Sequence, residues 1–207
     1  MNKLNVDKMK KKNKFKALLL LTGLCLVITM AVSCSDNSAG PDDGPGGKGQ
    51  ASFTISGAVS GQKTGVAEFY NFSAFGIHTW TIDIYDLGPS TYELSFFKVS
   101  NSPISNPAPG SYDLGNDLFT NDGFVATYTD GVGPNSTEYS PILSALCPGV
   151  SEDEGGTLII ESSNNDRIKG SFSFKGSDFD FDDNGNCVVL GTVTVSGQFN
   201  ATKTNLD

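Results

Sequence analysis

Asp178, Asp180, Asp182, Asp183, Asn184 and Asn186 form the densest run of oxygen-bearing side chains in this 207-residue chain. From Asp180 the order Asp-Phe-Asp-Asp-Asn-Gly follows the opening of a calcium loop. Such a loop places oxygen ligands at alternate positions around a hard cation and uses a glycine to turn. Asp180, Asp182 and Asn184 are the candidate metal ligands, Gly185 is the turn residue, and calcium is the one cofactor that the pattern suggests. The Glu that should close the loop is replaced by Gly191. The competing reading is a solvated hairpin turn at Asn184-Gly185. Glu152, Asp153 and Glu154 add carboxylates to the site if a covalent link draws their segment near.

Cys147 and Cys187 provide that link. They are the only thiols after Cys34, and two cysteines in an exported chain read as one disulfide. No Cys-x-x-Cys spacing is present, so a redox or zinc role is not expected. His78 is the only histidine. A three-histidine zinc site is therefore impossible, and any Ser-His-Asp triad would have to use this residue. There is no Gly-x-Ser-x-Gly elbow, and the plainer reading is an ordinary histidine at the start of a strand. Carboxylates are abundant enough for two-acid glycoside hydrolysis, but abundance identifies no pair, so no catalytic residue is assigned. Tyr70, Phe72 and Phe75 lie in what reads as a loop. They form either a sugar-stacking or partner surface or part of the core.

These residues depend on a framework of alternating strands. Phe53 and Ile55, Trp80 with Ile82 and Ile84, Tyr92 with Leu94 and Phe96, Phe124 with Ala126 and Tyr128 all recur at every second position. So do Leu158 with Ile160, Ile168 with Phe172 and Phe174, and Val193 with Val195 and Phe199. Polar residues fill the gaps, as in antiparallel sheets with one wet face. Turn formers punctuate the runs at Ser60-Gly61, Gly88-Pro89, Asn121-Asp122-Gly123, Ser163 to Asp166 and Asn184-Gly185. The prolines and Gly110 between Asn101 and Asn116 mark a long loop or edge crossing. Residues 51–207 are expected to form one all-β domain, an antiparallel β-sandwich or alternatively a closed barrel of eight to ten strands.

Ahead of that domain the composition changes twice. Residues 1–33 hold seven lysines, then an uncharged run from Ala17, then Ala31-Val32-Ser33 before Cys34. Basic, apolar and small is the order of an export signal. The apolar run is too short and too diluted by Thr22, Gly23 and Thr29 for the ~20 residues of a membrane-spanning helix. Met9 begins a more compact version of the same signal. Residues 34–50 carry Gly, Pro and Asp and no large apolar side chain, so they read as a flexible tether. The formal charge of −9 includes the signal lysines; from Cys34 onward seven basic residues face 22 acidic ones, a net −15. Nucleic acid is a poor partner for such a surface, and so are anionic headgroups, which leaves membrane attachment to the lipid.

Two resemblances add to this. Ala31-Val32-Ser33-Cys34 resembles the lipobox of Gram-negative lipoproteins, which implies cleavage before Cys34 and acylation of its thiol. Ser35, unlike the Asp that marks inner-membrane retention in some of that group, implies the outer membrane. Separately, Gly155-Gly156-Thr157-Leu158-Ile159-Ile160, Ile168-Lys169-Gly170-Ser171-Phe172-Ser173-Phe174, Val193-Thr194-Val195-Ser196-Gly197-Gln198-Phe199 and Pro109-Gly110-Ser111-Tyr112 resemble segments of small β-domain lipoproteins of unknown function in Bacteroidota-type bacteria. That family carries no established activity to transfer. The expectation is a lipid-anchored envelope protein that binds a glycan or an envelope protein, or serves structurally. The alternatives are a carboxylate hydrolase and a calcium-stabilised carbohydrate-binding module.

Overall fold

The computed structural model describes residues 47–86, 88, 92–115, 123–131, 133–141, 147 and 154–204. The signal segment, Cys34, the tether up to residue 46, and Glu152 and Asp153 lie outside the described residues. The domain is all-β. Its ten strands are β1 (Gln50–Gly57), β2 (Gly61–Ala74), β3 (Ile77–Tyr85), β4 (Tyr92–Ser100), β5 (Gly110–Leu114), β6 (Val125–Asp130), β7 (Thr137–Tyr139), β8 (Gly155–Ser163), β9 (Arg167–Phe181) and β10 (Cys187–Lys203).

They form one sheet in the order β5-β8-β9-β10-β1-β2-β3-β4-β6-β7. Every neighbouring pair in that order is antiparallel. Right-handed twist curls a sheet of this width. Here it becomes a half-barrel whose two sides touch at isolated bridges, Leu114 with Phe124 and Ser140 with Ser177. Backbone bonds fix both, Phe124 N–H to Asp113 O at 2.9 Å and Ser140 N–H to Ser177 O at 3.2 Å. A single curled sheet thus stands between the two arrangements that the alternation left open.

The apolar parity of each strand faces the concave side. Trp80, Ile82, Ile84, Leu94, Phe96, Tyr128, Leu158, Val193 and Val195 are fully buried there. Rings from opposite walls meet in the middle: Phe96 of β4 lies 4.8 Å from Phe172 of β9, and Phe53 of β1 packs edge-on to Tyr92 at 5.2 Å. The interior is a packed core, in which each fully buried Leu, Ile or Phe contributes about 1.5–3 kcal/mol. Gly197 sits opposite Phe53 in the β1–β10 ladder, and a Cβ there would come within 2.3 Å of the Phe53 Cβ. The close approach of these two strands requires glycine.

Two expectations about local structure change. The segment from Asp178 to Asn186 reads as an acidic loop in sequence, yet β9 continues through Phe181 and β10 begins at Cys187. Phe179 and Phe181 alternate with Asp178 and Asp180, so the run keeps the two-residue period of a strand. The Pro-rich stretch after Asn101 behaves as expected up to Pro109, then supplies the short edge strand β5. At the other boundary the sheet already takes up Gln50, and Gly49 accepts a bond from Ala67 N–H at 3.1 Å.

Candidate functional site

β1 runs antiparallel to β2, so the first described residues, Gly47 to Gly49, lie toward the Ala74 end of β2. The same end collects the loop 101–109, the β8–β9 turn and the end of β10. Together they shape an open groove of about 470 Å³. Its walls are Phe69, Tyr70 and Asn71 of β2, the loop Ser105 to Pro109, the turn Ser163 to Asn165, and Lys203.

Side-chain amides hold these four segments in place. Trp80 Nε1–H donates to Asn106 Oδ1 at 3.2 Å, and Asn106 Nδ2 donates to Asn164 O at 2.9 Å. Asn71 Nδ2 donates to Ile104 O at 3.3 Å. Asn164 Oδ1 accepts from the backbone of Asp166 and Arg167 at 2.9 and 2.7 Å, closing the turn. Ser105, Asn165 and Lys203 are exposed and keep their side-chain polar groups without a protein partner among the described residues. The groove therefore offers free hydroxyl, amide and ammonium groups, while Phe69 and Tyr70 border it as buried residues. None of its lining residues is Asp or Glu. A second, shallower depression of about 450 Å³ lies on the outer face over Gly197. Ser52, Thr54, Thr64, Ser171 and Gln198 line it, again without a carboxylate.

The perturbed carboxylates lie elsewhere. Glu68 and Asp83 face each other directly across β2 and β3 on the outer side, where like charges repel. Hydroxyls answer both: Tyr85 donates to Glu68 Oε2 at 2.8 Å, Tyr70 to Asp83 Oδ2 at 2.6 Å, and Ser95 to Asp83 Oδ1 at 2.6 Å. Burial pushes the Asp83 carboxyl above its usual range, the Ser95 and Tyr70 hydroxyls pull it back, and the Glu68 charge adds to the rise. Burial likewise raises the Tyr70 phenol, with the Asp83 charge second. This network ties three strands together, and neither groove includes its two acids. The Tyr70 ring is the one part that borders the main groove.

The acidic candidates fall at the opposite end. Asp182 spends both oxygens on its own turn: Oδ1 accepts from the N–H groups of Asn184 and Asn186 at 2.8 and 2.9 Å, and Oδ2 from Asn186 Nδ2 at 2.9 Å. Those donors, the Asn186 side chain first, hold its carboxyl below the usual range. Asp180 Oδ1 accepts from Phe181 N–H, and Asn184 and Gly185 form the exposed turn itself. Glu154 Oε1 accepts a short bond from the Ser177 hydroxyl, in the sheet and not in the Asp182 turn. Among the described residues no three His, Cys, Asp or Glu side chains converge as a metal site. The covalent link is present: Cys147 and Cys187 are joined, with Cα atoms 5.3 Å apart, inside the range of unstrained disulfides.

His78 pairs with Ser73 across the β2–β3 hairpin, Ser73 Oγ to Nδ1 at 2.7 Å. The imidazole nitrogen that an orienting acid would hold is thus taken by the serine, and no carboxylate bonds the ring among the described residues. The three aromatics part company. Tyr70 is buried, Phe72 is 44 % exposed and Phe75 is 104 % exposed. Phe75 occupies the apex of a two-residue turn with φ 53°, followed by Gly76 at φ 79°. Both positive angles are those of a type I′ hairpin turn. An L-residue there costs about 1–2 kcal/mol, and Asn, Asp or Gly tolerate it best. A phenylalanine at that apex contributes no burial in return.

The groove was not legible in the sequence, because Asn71, Asn106, Asn164 and Lys203 come from four separate segments. The Phe75 apex left a partial signal, an aromatic before a glycine between two strands. No protein-family model, curated protein or solved structure matches the chain.

Proposed function

We propose that this chain is a lipid-anchored binding module of the cell envelope, held through Cys34 in the outer membrane, and that its ligand is a neutral polar chain such as an oligosaccharide. One observation carries the reading: a groove of about 470 Å³ gathers free amide, hydroxyl and ammonium groups and contains no carboxylate. Sugar hydroxyls pair with such groups. The carboxylate hydrolase alternative needs two acids flanking the ligand, and the paired acids Glu68 and Asp83 stand outside the groove, each engaged by hydroxyls.

The test is a glycan panel presented to the mature protein, with calorimetry on any glycan retained. Lys203→Ala with Asn165→Ala should weaken binding at least tenfold and leave the melting temperature unchanged, since both side chains are exposed. Equal binding by wild type and the double variant removes the groove from the account. Retention of no glycan at millimolar concentration removes the ligand class.

A further inference from the structure

The β2–β3 hairpin outruns β10 on one side and ends just past β4 on the other, where Ser100 still pairs with His78. The last pairing on its β10 side is Lys203 with Phe69, and Thr204 N–H bonds Phe69 O. β2 runs on past that pairing to Ala74, while on the other side β4 accompanies β3 as far as His78, so only Ala74 to Ile77 stand clear of both flanking strands. Its tip carries Phe72, Phe75 and Ile77, the last also 44 % exposed. No Asp, Glu, Lys or Arg occurs from Phe69 to Ile82, and none from Val99 to Tyr112 in the neighbouring loop.

Around the base of the finger the charges are mostly basic. Lys48, Arg167, Lys169 and Lys203 gather at this end against Glu161 and Asp166. Arg167 reaches the departing chain, its guanidinium donating to Gly47 O at 3.4 Å. Among the described residues, Asp86, Asp130, Asp178, Asp180, Asp182 and Asp183 sit at the far end. Net charge averages these two ends; a surface meets only one of them.

We infer that the tip Phe72, Phe75 and Ile77 enters an anionic lipid bilayer, with the basic rim against the headgroups. The inference rests on the lipid-anchor reading. Twelve residues separate Cys34 from Gly47. Gly47, from which the chain runs back toward Cys34, lies at the finger's own end of the sheet. A bilayer needs apolar side chains in its interfacial layer and cations above it. The groove then opens toward the headgroup level, set back from the tip.

The experiment uses the acylated protein carrying Phe75→Trp, reconstituted in vesicles of phosphatidylglycerol and phosphatidylcholine with bromine on the acyl chains. Flotation and mass spectrometry of Cys34 are run in parallel. Fluorescence of the variant above the buried Trp80 background should be quenched at least twofold by the brominated chains. Acylated, floating protein without quenching overturns the finger and leaves the anchor standing. Protein that neither carries an acyl group nor floats overturns the anchor and the finger together.

Discussion

Two hairpins leave the sheet at opposite ends, and they are reinforced differently. The β9–β10 arm carries Phe181, Val188, Val189 and Leu190 on its surface. It is held by the Cys147–Cys187 bridge, by a T-shaped Phe179–Phe181 contact at 5.7 Å, and by the three bonds that Asp182 accepts in its turn. The β2–β3 finger has a ladder, one Ser73–His78 bond and an aromatic forced to positive φ at its apex. In the arm, local chemistry serves the hairpin's own order. At the finger apex, local chemistry opposes it, which is the mark of a residue kept for something outside the domain.

Substitution at the two hairpins should therefore separate cleanly. The largest effect belongs to the bridge. Cys147→Ser with Cys187→Ser should cost about 2–4 kcal/mol for a loop of this length. That corresponds to a fall of roughly 5–15 °C in melting temperature for a domain this size, read by calorimetry without reductant. Next is the turn of the arm. The Asp182 carboxyl is depressed in the folded state, so its bonds are fully made above pH 3.8 and are lost as pH falls through its lower folded value. Amide exchange at Asn184 and Asn186 should accelerate at that point, and Asp182→Ala should bring the fast exchange to neutral pH. The smallest effect on stability belongs to the finger. Phe75→Asn suits the positive φ, so the melting temperature should stay level or rise by about 1 °C, while bromine quenching of a reporter at Phe72→Trp is weakened. A marked loss of stability in Phe75→Asn would make the apex a structural residue and erase the contrast.

What could be read from the residues divides along the same physical line. Period-two alternation is local, so the strands around Trp80, Leu94, Phe172 and Val195 were visible, as was the pairing of the two remaining thiols. Asp180 and Asp182 were visible as an acidic run but not as strand end and turn, because their spacing suits a loop ligand set and a hairpin equally. The groove depends on how Asn71, Asn106, Asn164 and Lys203 converge, and convergence is a property of sheet order. The net charge of −15 argues against headgroups as a sum over the sequence, and a sum holds no record of which end each lysine occupies.

The central claim is that the tether end faces the membrane and the acidic arm faces away. Phe75→Cys and Asp183→Cys, one at each hairpin tip, can be labelled with a membrane-impermeant maleimide in the acylated protein on vesicles and again after detergent release. The account predicts that position 183 reacts equally fast in both states, whereas position 75 reacts at least tenfold more slowly on vesicles than in detergent. Equal reactivity of position 75 in the two states would contradict it.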